Sequence, residues 1–262
     1  MPDWSSLPGL LSNENWIAAL PEPVRREILE RMVPRDLTAG ELLIEAGVES
    51  LGIYQLERGY LRLLADHPDG RQTLIVVYRP GNCFSESPLV AHRTPNHSTI
   101  ALTDARVRLL PKDDFWALYH RHPEIPEALC RKFASSMSRL LTRREIAVTR
   151  RLREMVAFTF CNLAEECGAP EPDGAVAIAL PLTQNDLADH LGVTRQAVQR
   201  EVGALKGLGV LAKTRRAVAG PGRGEAAPPR GLAPASPRRD AMRRPRPTRG
   251  RETAAPPVAP RP

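Results

Sequence analysis

Residues 181–211 read PLTQNDLADHLGVTRQAVQREVGALKGLGVL, and their spacing decides how the C-terminal part of the chain folds. Thr183, followed three residues later by Asp186, places a hydroxyl and a carboxylate where the free N–H groups of a helix start need acceptors. Leu187, Ala188 and Leu191 recur at helical spacing, and Gly192 ends the helix where a left-handed residue costs least. A second helix follows at once. Thr194 can cap it, and Val198, Val202 and Leu205 at i, i+4, i+7 supply its buried stripe. Arg195, Gln196, Gln199 and Arg200 share the other side. With small Ala188 where the helices cross, the pattern suits a helix-turn-helix whose open face carries forks and amides matched to base edges in a major groove. An ordinary helical hairpin with a solvated polar face has the same spacing.

The chain has 262 residues, enough for two domains, and 42% hydrophobic content, enough for packed cores. Its apolar runs fall short of the ~20 residues of a membrane span, and the N-terminal MPDWSSLPGLLSNENW lacks the basic and apolar regions of a secretory signal. A cytoplasmic protein without a membrane partner is expected. Cys83, Cys130, Cys161 and Cys167 show no C-x-x-C spacing and read as reduced, buried thiols. The net charge of +7 belongs to the tail: from Pro221 onward stand ten arginines, no lysine and three acids, which leaves residues 1–220 without net charge. Local basic residues must therefore carry any nucleic-acid argument, and near the helical pair these are Arg195, Arg200, Lys206, Lys213, Arg215 and Arg216.

Working outward toward the N-terminus, residues 12–32 read as helical, with Trp16, Ile17 and Leu20 before Pro21 and Pro23, and Val24, Ile28 and Leu29 after them. Between Arg35 and Leu110 the runs LLIEA, GIYQL, YLRLLA, TLIVVY, STIAL and RVRLL alternate with Gly, Pro, Asp and Asn, the mark of an antiparallel all-β barrel or roll. Asp69-Gly70 signals a tight hairpin. A long helix is expected from Ile125 to about Ala147, with Leu129, Phe133, Met137, Leu140, Leu141 and Ala147 as its stripe. Two covers suit that stripe, a twofold partner helix or the chain's own roll. A further helix spans roughly Thr149–Cys167, GAPEPDG reads as a loop, and Val176–Leu180 as a short strand. His120, His122, Asp113, Asp114 and Glu124 lack nucleophile or ligand spacing and read as a solvated face, so an enzyme is not expected.

In this order the parts resemble the Crp/Fnr (catabolite activator and fumarate-nitrate regulator) family of bacterial transcription factors. The resemblance covers about residues 25–215 and rests on GELLIEAG, LERGYLRLL, PGNCFSESPL, LLPKDDFWAL and LTQNDLADHLGVTRQAVQREV. It implies an α+β fold: a β-roll sensor domain of the cyclic-nucleotide-binding type (a double-stranded β-helix) over residues 1–122, a dimerisation helix over 123–148, and a winged helix-turn-helix over 149–217. It further implies a homodimer reading a pseudo-palindrome in double-stranded DNA, with RNA polymerase as a further partner. The alternative is a dimeric sensor whose DNA binding is impaired by an aberrant C-terminus. Carried over position by position, base contacts fall on Arg195, Gln196 and Arg200, with Gln199 on the same face and phosphate contacts on Thr183, Gln184 and Thr194. Gln196 stands where the best-known members have Glu, which implies a changed base pair in the half-site.

The effector region departs most from the family. Cyclic-nucleotide binders have Phe-Gly-Glu-Leu and Arg-Ser-Ala, where this chain has Phe84-Ser85-Glu86-Ser87 and His97-Ser98-Thr99. The ribose-binding carboxylate survives in Glu86, but His97 replaces the phosphate-binding Arg, so high-affinity cyclic AMP binding is not expected. No cysteine precedes Cys83, which excludes the N-terminal iron-sulfur cluster of the family's oxygen sensors. Cys83, His92 and His97 are candidate haem donors, and an unidentified small ligand, or none, is the default. No metal site is read. Past the recognition helix, Val210, Leu211, Ala212 and KTRRA begin the first strand of an atypical or incomplete wing. Residues 218–262 are rich in Pro, Arg and Ala, bury no core and are expected to be disordered, either as a basic arm or as a frameshifted reading.

Overall fold

The computed structural model describes residues 9–12, 14–172, 175–178 and 180–211. From Ala212 onward the expected wing strand KTRRA, the cations Lys213, Arg215 and Arg216, and the 218–262 tail lie outside the described residues.

Eight strands build the roll. In chain order the elements are a 3-10 turn Ile17–Ala19, α1 (Glu22–Arg31), β1 (Val33–Leu37), β2 (Leu42–Ile44), β3 (Gly52–Arg58), β4 (Leu61–Asp66), β5 (Gln72–Tyr78), β6 (Cys83–Phe84), α2 (Glu86–Val90), β7 (Ser98–Ala101) and β8 (Ala105–Pro111). They form two four-stranded antiparallel sheets, ordered β1-β8-β3-β6 and β2-β7-β4-β5. Tyr54, Leu56, Leu61, Phe84, Ala101 and Val107 fill the space between them. The β4–β5 turn falls at the expected Asp69-Gly70: Gly70 takes φ 79°, and the His67 N–H bonds the Arg71 carbonyl at 2.9 Å. Leu63 and Leu64 bulge, so neighbouring leucines leave β4 toward different surroundings.

Two further cores surround the roll. Ile53 and Leu110, on the other side of the first sheet, meet Val24 and Ile28 of α1, Phe115 and Leu118 of α3 (Lys112–Arg121), and Ile125 and Leu129 at the start of α4 (Glu124–Thr149). The second core joins Leu64, Leu74 and Val77 of β4 and β5 to the last elements of the chain. Those elements are α5 (Leu152–Cys167), β9 (Gly168–Pro170), β10 (Val176–Ile178), α6 (Gln184–Leu191) and α7 (Arg195–Gly207). Val156 and Leu163 of α5, Leu187 and Ala188 of α6, and Val198, Val202 and Leu205 of α7 complete it. The described residues all belong to one compact unit, Met1–Ala217.

Several expectations are corrected. The segment read as the loop GAPEPDG opens with β9, which pairs with β10 in register Ala169↔Ala177, so the apolar run Val176–Ile178 finds its partner just upstream. Val210 and Leu211 are bends, drawn back by Val210 and Leu211 N–H bonds to the Leu205 carbonyl at 3.1 and 3.4 Å, rather than strand. Helix does not begin at residue 12: residues 10–12 run beside β5, with the Ser12 N–H on the Val77 carbonyl at 2.8 Å and the Val77 N–H on the Leu10 carbonyl at 3.1 Å. Of the four free cysteines only Cys83 is buried, because Cys130 and Cys161 stand on helix faces that none of the described residues covers. His122 is not simply solvated but meets Glu27 at 2.9 Å.

Because the second core spans roll and C-terminal helices, truncation within it is expected to weaken the whole unit. Leu163→Ala, at a site 1% exposed, should lower stability by about 2–5 kcal/mol. Urea denaturation followed by far-UV circular dichroism checks this.

Candidate functional site

The α6–α7 pair is fixed by its own ends. Thr183 Oγ1 accepts from the Asp186 N–H at 3.1 Å while the Thr183 N–H donates to Asp186 Oδ2 at 2.7 Å, a complete capping box. Gly192 takes φ 67° at the turn, and Thr194 Oγ1 caps α7 through the Ala197 N–H at 3.3 Å. With Val198, Val202 and Leu205 facing inward, Thr194, Arg195, Gln196, Gln199 and Arg200 are all exposed, and Gln184 is half-buried at the first position of α6. Gly203 continues that open side with no atom near the position of a Cβ, which leaves room for a backbone to approach. Sequence reasoning missed Glu201, which is buried beneath this face. Its carboxylate takes Arg153 Nε at 2.9 Å and Arg200 Nε at 3.2 Å, and these bonds, Arg153's first, hold its pKa below the usual value. Glu201 thus ties α7 to α5 and orients Arg200.

Anchors on α6 attach the reading face to the rest of the unit. Asp189 Oδ2 accepts from the Leu74 N–H at 3.3 Å, joining α6 to β5. Arg143, near the end of α4, donates to His190 Nδ1 at 2.9 Å and to the His190 carbonyl. His190 is buried, and burial, followed by the nearby Arg143 charge, pushes its pKa down to about 3. It is held as a neutral acceptor.

A cavity of about 370 Å³ opens in the roll. Ile44, Leu63, Tyr78, Phe84, Pro88 and Phe133 give it apolar walls. Of the expected effector residues, Phe84, Ser85, Glu86, Ser87, His97 and Thr99 line it, whereas Ser98 donates to Asp66 at 2.6 Å and accepts from the Ala46 N–H instead. Ser85 adopts a left-handed φ of 76° and its hydroxyl lies 2.7 Å from that of Ser50. Glu86 is occupied on both oxygens, by Trp16 Nε1 at 2.7 Å and by Lys132 Nζ at 2.7 Å. Neither Lys132 nor Trp16, the latter read only as an apolar helix residue, was expected at the site, because 46 and 70 residues of separation from Glu86 hide the pairing. Cys83 lines the same cavity as a buried thiol, its pKa pushed up to about 12 by burial and by Glu86. His92 stacks on Trp116, with centroids 5.2 Å apart, and is not among the lining residues. Among the described residues no cluster of His, Cys, Asp and Glu is arranged to hold a metal ion, and no helix is long and apolar enough to cross a membrane.

Comparison with known proteins places both halves. Residues 34–122 match the cyclic nucleotide-binding domain and residues 148–219 the Crp-like helix-turn-helix domain, together more than half of the chain. The chain is 28% identical over 196 residues to a protein of Rhizobium leguminosarum bv. viciae described as "Probable transcriptional activator", covering 74% of this chain and 79% of that one. It is 24% identical over 173 residues to a CRP-like cAMP-activated global transcriptional regulator of Mycobacterium tuberculosis, covering 66% and 77% of the two chains. A solved CRP/FNR-family transcriptional regulator from Thermus thermophilus superposes with a TM-score of 0.56 at 26% identity, over 68% of this chain and 87% of that one.

The buried His190 sets a pH dependence. Its folded pKa lies below the unfolded value of 6.5, so the unfolded chain binds the extra proton and stability falls as pH drops from 6.5 toward 3. Between pH 7 and pH 5 the loss from this group should be roughly 2 kcal/mol. Denaturation at both pH values checks it, and His190→Gln should flatten the slope.

Proposed function

This chain belongs to the Crp/Fnr family of transcription regulators, and from that premise we propose that it binds a two-fold-related DNA site as a homodimer whose DNA affinity is set by a small effector held in the roll. The observation that carries the reading is the division of α7 into a fully buried apolar stripe and an exposed row of Arg195, Gln196, Gln199 and Arg200. A helix held rigidly on one side by core and by the Glu201 bridges, with forks and amides on the other, fits a major groove. Guanidinium forks at Arg195 and Arg200 suit guanine O6 and N7, and Gln196 suits adenine. Thr183 and Thr194 sit at helix N-termini, where hydroxyls and backbone N–H groups take phosphate.

Two features support the homodimer. The start of α4 is buried against the roll, but Met137, Leu140, Leu141 and Val148 are 60%, 64%, 62% and 82% exposed. Met137, Leu141 and Val148 follow a heptad spacing, and a second copy of the same helix covers such a seam by knobs-into-holes packing. Exposed Cys130 lies one heptad before Met137.

Cyclic AMP is not the effector in this reading. Phosphodiester recognition calls for a guanidinium or an open nest of N–H groups, whereas the lining, among the described residues, has no arginine and offers His97 and a Lys132 already paired with Glu86. The ribose acceptor, Glu86, is already engaged by Lys132 and Trp16. Haem is not the effector in this reading either: Cys83 is a buried thiol and His92 is turned to Trp116, which leaves His97 alone of the three candidate donors.

Selection from random duplex DNA should recover two half-sites related by a dyad with centres about 10–11 base pairs apart. Absence of any symmetric motif would sink the proposal. Gln196→Glu should change the preferred base at one position per half-site, and Arg200→Ala should weaken specific binding by about 1–3 kcal/mol. Met137→Glu combined with Leu141→Glu should yield a monomer by light scattering.

A further inference from the structure

Glu14 enters the cavity wall from the N-terminal segment and meets one face of α4. Ser136 Oγ donates to its Oε1, Arg139 forms an ion pair with the same oxygen, and Lys132 Nζ stands 3.5 Å from Oε2. Arg139 also donates to Ser136 Oγ at 3.2 Å, so the donors form one connected set. Lys132, Ser136 and Arg139 fall at i, i+4 and i+7, a spacing that stacks three side chains on one helix face. Two donors, Ser136 and Arg139, converge on one carboxylate beside an apolar cavity, with the Lys132 ammonium close by, which makes an acid-binding site in which the charge-assisted bond is the strong one.

The charges close on themselves. Lys132 and Arg139 balance Glu14 and Glu86, and Glu86 is fastened separately by Trp16. An anion that replaces Glu14 one for one keeps the pocket neutral. A neutral molecule would either leave Glu14 in place or leave the partly exposed Arg139 without its carboxylate, since Lys132 keeps Glu86. The remaining walls indicate the rest of the ligand. Tyr78 and Phe84 stack at 4.6 Å, with Leu63, Ile44 and Phe133 close by, a lining for an aromatic or aliphatic body.

We propose that Lys132, Ser136 and Arg139 form a carboxylate site whose resting occupant is Glu14, and that the effector is a small hydrophobic acid that takes Glu14's place. The inference rests on the effector-responsive reading above and gives it a ligand class.

Displacement of Glu14 has a route to the reading face. The segment that carries it runs back along β5: the Cys83 N–H bonds the Glu14 carbonyl at 2.8 Å, Arg79 Nε bonds the Ser12 carbonyl at 3.1 Å, and Leu10 and Leu11 are buried in the core shared with α5, α6 and α7. At its far end, a Cβ on Gly9 would stand 1.8 Å from Asn162 Oδ1 of α5. One short segment therefore touches the cavity at Glu14, holds Glu86 through Trp16, and meets the helix-turn-helix core at residues 9–11. Its seated and lifted forms are the two states that the acid biases.

The test uses the full chain with 3-phenylpropionate and its neutral amide, 3-phenylpropanamide, as probes. By titration calorimetry Glu14→Gln should bind the acid at least ten-fold more tightly than wild type does, while the amide gains nothing. Lys132→Met added to Glu14→Gln should abolish the gain. In wild type, saturating acid should speed hydrogen exchange at the Ser12 amide several-fold where the amide probe does not, a readout independent of how well any variant folds. Equal affinity of Glu14→Gln for acid and amide, or no acid-selective change in either measurement, overturns the site. A chain that binds no DNA would overturn the regulator reading, while an acid-selective gain in Glu14→Gln would still support the site.

Discussion

The buried ion pair between Lys132 and Glu86 governs how the long helix sits. Their side chains are 8% and 3% exposed, and charges so placed persist only when paired and hydrogen-bonded. Lys132 also donates to the Cys83 carbonyl at 2.9 Å, and Trp16 completes Glu86. These bonds fix the rotation of α4 about its own axis. Once Lys132 points at the roll, Leu129, Phe133 and Ser136 must face the same way, and Met137, Leu141 and Val148 must face out. Two turns beyond Ser136, the same rotation brings Arg143 to His190. One buried pair thereby sets the cavity wall, the exposed seam and the anchor of α6.

Features controlled by local chemistry were legible in the sequence. The Thr183–Asp186 box, the Gly192 turn, the Thr194 cap and the buried stripe of α7 depend on residues within one or two helical turns, and all are present as read. The hairpin at Asp69-Gly70 and most strands of the roll follow the same logic. What escaped was non-local. Strand β1 begins Val33-Pro34, and a proline there suits only its position at the sheet edge beside β8, which the sequence does not announce. The extended path of residues 10–12 is fixed by Val77, far along the chain. Glu201 looks like one more charge on a polar helix until Arg153 of α5 is placed opposite it.

The cavity shows the same division. Its residue types were anticipated at Phe84–Ser87 and at His97 and Thr99, but not their chemistry, because Glu86 is defined by partners on α4 and in the N-terminal segment. Ser98 lies in the expected stretch, yet strand alternation turns it away from the cavity toward Asp66. A carboxylate that survives in a motif is not thereby a free carboxylate, and its neighbours decide what it can still bind.

Strand β5 ends its sheet, and on its outer side residues 10–12 pair with Val77. A terminal strand otherwise offers a row of bare N–H and C=O groups to any passing chain, the template from which β-aggregates grow. The short N-terminal segment therefore also serves as an edge guard. Lifting it uncovers a sticky margin rich in Leu74, Val76 and Val77, so a protein that signals by moving this segment faces a solubility hazard each time it does so. That hazard favours brief release and sets a limit on how far natural variation can loosen the segment.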